Sequence, residues 1–157
     1  MDNRSLLIEF YTAFTNHDYK RMAACYHEEA EFTDPAFGTL NAVQVKAMWQ
    51  MLVERSKGEL KVVFSEVKAD AEKGSAHWEA FYMFSKTGRP VHNKIDAHFE
   101  FKNGKIYRHY DDFDIWAWSR QALGLSGFLL GYTSFFKKKL QSQTRKLLTD
   151  FMQRPSK

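Results

Sequence analysis

Apolar residues at Leu7, Phe10, Tyr11 and Phe14 recur at spacings of three and four, which predicts an amphipathic helix with Tyr11 on its buried stripe. Asn16-His17-Asp18 interrupts that pattern. Asp18 is a good N-cap for a second helix, whose inner residues are expected at Tyr19, Met22 and Tyr26. A short strand at 30–33 then runs into Asp34-Pro35. Proline biases the residue before it toward an extended backbone, so Asp34 should close that strand on the face of Phe32. Asn41 can cap a third helix with Val45, Met48, Trp49 and Leu52 on one side.

From Leu60 onward the period shortens from about 3.6 to 2. Alternating segments at 60–69, 76–85, 91–102 and 105–114 are separated by EKGS, KTGR and KNGK, each with a glycine suited to a hairpin turn. Helices followed by a four-stranded antiparallel meander predict an α+β domain, with helices covering one face of a curved sheet. That domain is expected over 1–114. A helical extension over 115–157 follows, with a short helix from Ile115 and a last helix from Ser134 to Met152. Phe136, Leu140, Gln143, Leu147 and Phe151 should face inward from that last helix, opposite a basic face. It needs a surface to lie on: its own domain, a dimer mate, or an acidic membrane or partner.

A chain of 157 residues is the size of one ordinary domain. Aromatic residues make up 16% of it, more ring surface than a small core needs, which points to an apolar cavity or a large subunit interface. Cys25 stands alone, so no intramolecular disulfide or cysteine-rich metal site is expected, as in a cytoplasmic protein. The acidic, periodic start does not read as a signal peptide. GFLLGY is far shorter than the roughly 18 apolar residues of a membrane span. The net charge is +4, yet from Ile115 onward eight basic residues accompany one acid, a local +7 that leaves −3 for the rest. The basic character therefore belongs to the extension, which argues against nucleic acid as a partner.

Tyr11, Asn16, Asp18, the Asp34-Pro35 turn with Gly38, the hairpin strands and the Gly104-Lys105 turn together resemble the ketosteroid isomerases. These belong to the nuclear transport factor 2-like superfamily, as do the SnoaL-like polyketide cyclases. The resemblance spans about residues 5–114 and implies a cone-shaped α+β barrel, a homodimer formed through the outer sheet face, and no cofactor. It places Asp34 where the isomerases keep the base that moves a proton α to a carbonyl, and Tyr11 where a tyrosine donates to the developing oxyanion. The pattern departs at Ala97, where the isomerases carry a second, acidic donor, so steroid isomerisation itself is not implied. His109, Asp111 and Phe113 fall on the cavity-lining face of the last strand, Trp49 falls beside Tyr11, and Phe99 falls on the neighbouring strand. The implied ligand is a small hydrophobic, carbonyl-bearing molecule.

The residues also carry plainer readings. Asp34 can be a base made useful by an apolar setting that raises its pKa, or it can simply cap the Pro35 turn through backbone amides. His109 and Asp111 can form an acid-base pair, or can be alternate polar residues at a strand end that face solvent or a dimer mate. Asp96, His98 and Glu100 are expected on the outer sheet face. The histidines and acids show no diagnostic metal-ligand spacing, so no metal is expected. Three functional readings follow: a cofactor-independent proton-transfer enzyme such as an isomerase, cyclase or hydratase, a non-catalytic binder of a small hydrophobic ligand, or an interaction domain with a vestigial cavity.

Overall fold

Asp2 starts helix α1 (Asn3–Thr15) by accepting the Ser5 amide at 2.7 Å, and the apolar stripe buries Phe10, Tyr11 and Phe14 as the spacing predicts. The computed structural model describes residues 1–155; Ser156 and Lys157, the end of the expected extension, lie outside the described residues. Asp18 caps α2 (Tyr19–Ala24) through the Arg21 amide. This helix stops before Tyr26, which instead opens strand β1 (Tyr26–Asp34). The expected strand at 30–33 is thus the end of a longer one, and Asp34 closes it as Pro35 dictates.

A short strand absent from the sequence reading, β2 (Gly38–Asn41), turns back on β1 and delivers Asn41 to its capping role. Asn41 and Gln44 form a reciprocal capping box at the start of α3 (Ala42–Ser56). The meander follows as β3 (Lys61–Ala69), β4 (Lys73–Phe84), β5 (Arg89–Lys102) and β6 (Lys105–Asp112). All six strands form one sheet in the order β2-β1-β6-β5-β4-β3, and the β1–β6 pair is parallel. Helices α1 and α3 fill the concave face with one continuous apolar core, giving the α+β architecture expected from the order of elements.

Two short helices, α4 (Ile115–Leu123) and α5 (Leu125–Leu130), lead to the long α6 (Ser134–Met152). Helix α6 lies on its own chain. Gln141 Nε2 donates to the Pro35 carbonyl at 3.0 Å, Thr144 Oγ1 to the Ala36 carbonyl at 2.7 Å, and Arg145 Nη1 to the Thr39 carbonyl at 3.0 Å. Its inner face differs from the expected one by a step. Leu148 is buried while Leu147 and Gln143 are exposed, and Phe136, Leu140 and Phe151 turn inward as anticipated. Leu148 is selected because the helix is anchored by Thr144 on the Asp34 turn, and four residues on is the same face. Among the described residues no helix is long and apolar enough to cross a membrane.

Candidate active site

The register of the sheet builds the candidate site from inward-facing rows. At one level Gly74, Phe99, His109, Phe32 and Leu40 run across β4, β5, β6, β1 and β2. At the next level the row is Ala76, Ala97, Asp111, Asp34 and Gly38: Ala76 pairs with Ala97, Ala97 with Asp111, and Asp34 with Gly38. Asp34 and Asp111 each lie one residue past the paired Thr33 and Tyr110. Two carboxylates thus stand side by side on strands about 5 Å apart, in a row whose other members are alanines and glycine. Ala97, where the isomerase resemblance leads one to expect an acid, has Asp111 directly across the ladder.

His109 and Asp111 are buried rather than solvent-facing. His109 Nε2 lies 2.9 Å from Asp111 Oδ1, and His109 Nδ1 lies 2.8 Å from the Tyr26 hydroxyl. Trp49 Nε1 donates to that hydroxyl at 2.9 Å, and Trp78 Nε1 donates to Asp111 Oδ1 at 3.3 Å. An indole N–H can only donate, so Tyr26 accepts from Trp49 and its own proton is free to donate to Nδ1. Nε2–H then donates to Asp111, which assigns the imidazole tautomer from the network. The chain Trp49, Tyr26, His109, Asp111, Trp78 is satisfied from end to end. Burial raises the Tyr26 phenol well above its ordinary pKa, which keeps that donor protonated.

Asp34 caps the turn that follows it. Its Oδ1 accepts the Ala36 and Phe37 amides at 2.9 and 2.6 Å, so it does shape the turn. Yet loss of hydration outweighs those bonds, and with the Asp111 charge nearby it pushes the carboxyl pKa up to about 7. Part of the residue stays at the surface, but the carboxyl end is enclosed closely enough for desolvation to be the largest effect.

Tyr11 is fully buried among Phe10, Phe64, Trp78 and Phe99, and its hydroxyl has no hydrogen-bond partner among the described residues. Desolvation first, then the Asp111 charge, raises its pKa well above the ordinary value. A buried phenol almost always finds an acceptor, and this one has a proton to donate.

Trp49 sits on α3 as expected, with its ring against Phe14 at 5.0 Å and Phe32 at 5.7 Å. Phe99 covers His109 at 4.4 Å. Phe113 lies just past the end of β6, partly buried between the main core and a smaller cluster around Trp118. Two members of the network, Tyr26 and Trp78, were not among the expected site residues, and Tyr26 was assigned to a helix. The alternation of Trp78 with Ala76 and Ala80 is the signal that could have found the second.

Surface concavities are present among the described residues. One is floored by β4 and β5 around Ser75 and Glu100, another lies at the β1–β2 edge, and neither is lined by Tyr11, Asp34, His109 or Asp111. The centre is filled by rings, and α6 lies over the Asp34 turn. No group of three or more histidine, cysteine or acidic side chains among the described residues is arranged to hold a metal.

A sequence profile of the SnoaL-like domain matches residues 7–109. The chain belongs to the SnoaL-like domain family. A search of curated proteins finds no match. Several solved structures are similar in fold at low identity. TerC co-crystallized with polyporic acid is 17% identical, with a TM-score of 0.64 over 76% of this chain and 96% of its own. An epoxide hydrolase of M. tuberculosis described as LEH-like is 17% identical, with a TM-score of 0.62 over 81% and 94%. A candidate polyketide cyclase of Xanthomonas campestris pv. campestris is 17% identical, with a TM-score of 0.61 over 76% and 98%. At such identities the likeness concerns the fold alone.

Proposed function

We infer that this SnoaL-like protein is a cofactor-independent proton-transfer enzyme, of isomerase or cyclase type, acting on a small hydrophobic molecule that carries a carbonyl group. The observation that carries the reading is the buried Tyr11 hydroxyl, without a hydrogen-bond partner among the described residues, together with Asp111, whose charge acts both on that phenol and on the Asp34 carboxyl, pushed up to about 7. A substrate carbonyl oxygen would complete the hydrogen bond that Tyr11 lacks. Asp34 would remove the proton from the adjacent carbon, the electron pair would move onto that oxygen, and the phenol would stabilise the charge as it develops. Return of the proton from Asp34 to another carbon gives isomerisation; attack of the enolate on a second carbonyl gives ring closure.

His109 takes a supporting role in this scheme, since both of its ring nitrogens are engaged. It would hold Asp111 in place and pass charge changes toward Tyr26, leaving Asp111 as the member of the pair nearest the substrate. Trp49, Phe99 and Phe113 would supply apolar contact. The substrate needs room that the packed centre does not offer, so α6 would have to lift from the turn at 35–37 to admit it. A homodimer through the outer sheet face and a cytoplasmic setting complete the proposal.

The ring-filled centre favours a second reading, in which the hollow is vestigial and the domain serves as an interaction module. Incubation of the protein with a panel of apolar ketones in deuterated water separates the two. Enzyme-dependent exchange of α-protons, reduced on the order of 10²- to 10⁴-fold in Asp34→Asn, supports catalysis. Absence of exchange together with unchanged resonances of Tyr11 and Asp34 across the panel would leave only the interaction module.

A further inference from the structure

Helix α5 and the start of α6 present Leu125, Phe128, Leu129, Leu130, Tyr132 and Phe135, each more than half exposed. The arrangement that holds them outward is built into the backbone. Gly127 and Gly131 face α4 so closely that a Cβ on either would lie within 2 Å of Ser119 atoms, and Ser119 Oγ donates to the Gly127 carbonyl at 3.3 Å. Trp116 Nε1 donates to the Phe128 carbonyl at 3.0 Å and fastens the same turn. The segment therefore uses its small residues for packing, and its large apolar ones are left more than half exposed.

From these contacts we propose that the α5 tip is a docking surface for an anionic lipid bilayer. Two features select a lipid surface over a protein groove. A helix that docks in a groove offers one stripe at spacings of three and four, whereas Phe128, Leu129 and Leu130 are consecutive and radiate over more than half of the helix circumference. Such a tip suits immersion in a fluid apolar layer. Charge supplies the second feature. Residues 115–149 contain no acid, and the exposed Lys137, Lys138 and Lys139 follow within one turn of Phe135. Arg120 stacks over Trp116 at 4.3 Å, and Trp116 lies against Phe128 and Tyr132, a grouping of rings and cation typical of the membrane-water boundary. The apolar tip would enter the headgroup region while the lysines meet anionic headgroups. This surface includes neither Tyr11 nor Asp34, and the inference does not depend on the catalytic reading.

Flotation of the full chain with vesicles tests it, using phosphatidylcholine alone and phosphatidylcholine mixed with phosphatidylserine. The chain should float with the mixed vesicles at low salt and not with the neutral ones, and Trp116 emission should shift to shorter wavelength. Replacing Phe128, Leu129 and Leu130 together by serine, or Lys137, Lys138 and Lys139 together by glutamine, should each weaken vesicle affinity by about tenfold or more. Lys137, Lys138 and Lys139 are exposed, so the melting temperature of the glutamine variant should stay unchanged and its loss of binding can be read directly. Failure to float with anionic vesicles overturns the proposal, as does flotation unaffected by the serine replacements. A wild-type dimer in free solution that the serine replacements convert to monomer also overturns it, in favour of a second copy of this chain as the cover.

Discussion

Asp34 and Asp111 stand at the same level of two adjacent parallel strands, one residue past the paired Thr33 and Tyr110. Loss of hydration first, and then the nearby Asp111 charge, push the Asp34 carboxyl up to about 7. A base with that pKa is half ionised at neutral pH. If the proposed reaction is correct, kcat/KM should rise with pH through about 7 and level off above it, and Asp34→Asn should remove the rise along with most of the activity.

The same pair sets a pH dependence of stability. The folded-state pKa of Asp34 lies above the ordinary value of 3.8, so between about 4 and 7 the folded protein holds a proton that the unfolded chain has lost. Stability should therefore fall as pH rises across that window. Asp34→Asn keeps an oxygen for the Ala36 and Phe37 amides and removes the charge, so it should be more stable than the native chain at pH 8, by at most about 4 kcal/mol. Urea titrations at pH 4.5 and pH 8 check this: the difference between variant and native chain should be small at the lower pH and grow at the higher.

Tyr11→Phe removes an orphan hydroxyl from the core. Leaving such a group unpaired costs about 1–3 kcal/mol, so the variant should melt at a higher temperature than the native chain. Proton exchange on a bound ketone should fall at the same time. A lower melting temperature would show that the hydroxyl has a stabilising partner in solution.

His109→Leu leaves the Tyr26 hydroxyl without an acceptor and Asp111 without its donor from the ring, both inside the core. An uncompensated buried charge is the larger penalty, and the loss should be about 3–5 kcal/mol by urea unfolding. The double variant His109→Leu with Asp111→Leu should recover part of that loss, because no charge remains to be buried.

Thr144→Ala combined with Gln141→Ala removes the two bonds from α6 to the carbonyls of Pro35 and Ala36. If α6 must lift for a ligand to enter, association of a hydrophobic ketone should quicken, and amides at 36–39 should exchange faster with deuterium. Leu148→Ala, a core truncation, should cost about 2–5 kcal/mol, more than those two polar changes.

Much of the architecture was legible because its signals are local. The stripe from Leu7 to Phe14, the Asn41 cap and the alternation from Lys61 to Asp112 each express a period that a short segment dictates alone. His109 and Asp111 are buried side by side, and Asp111 is close enough to both Tyr11 and Asp34 for its charge to act on each of them. What was not legible depends on distant partners. Tyr26 looked helical, because the parallel ladder that draws it into β1 comes from β6, and a register shift between Tyr26 and Glu31 hides the alternation. Leu148 rather than Leu147 faces inward because the Asp34 turn orients α6, a contact over a hundred residues away in sequence. The filled centre could not be foreseen either, since volume depends on how the rings of Phe14, Trp49 and Trp78 interlock.

The parallel seam between β1 and β6 also governs when the site can exist. Tyr26 and His109 are 83 residues apart, and bringing their strands together requires closing a long loop before any ladder bond rewards it. The meander can assemble through neighbouring hairpins without that step. The two acids should therefore come within reach of each other late in folding, and a fluorescent pair spanning this seam would report the arrival of the native state rather than an early collapse.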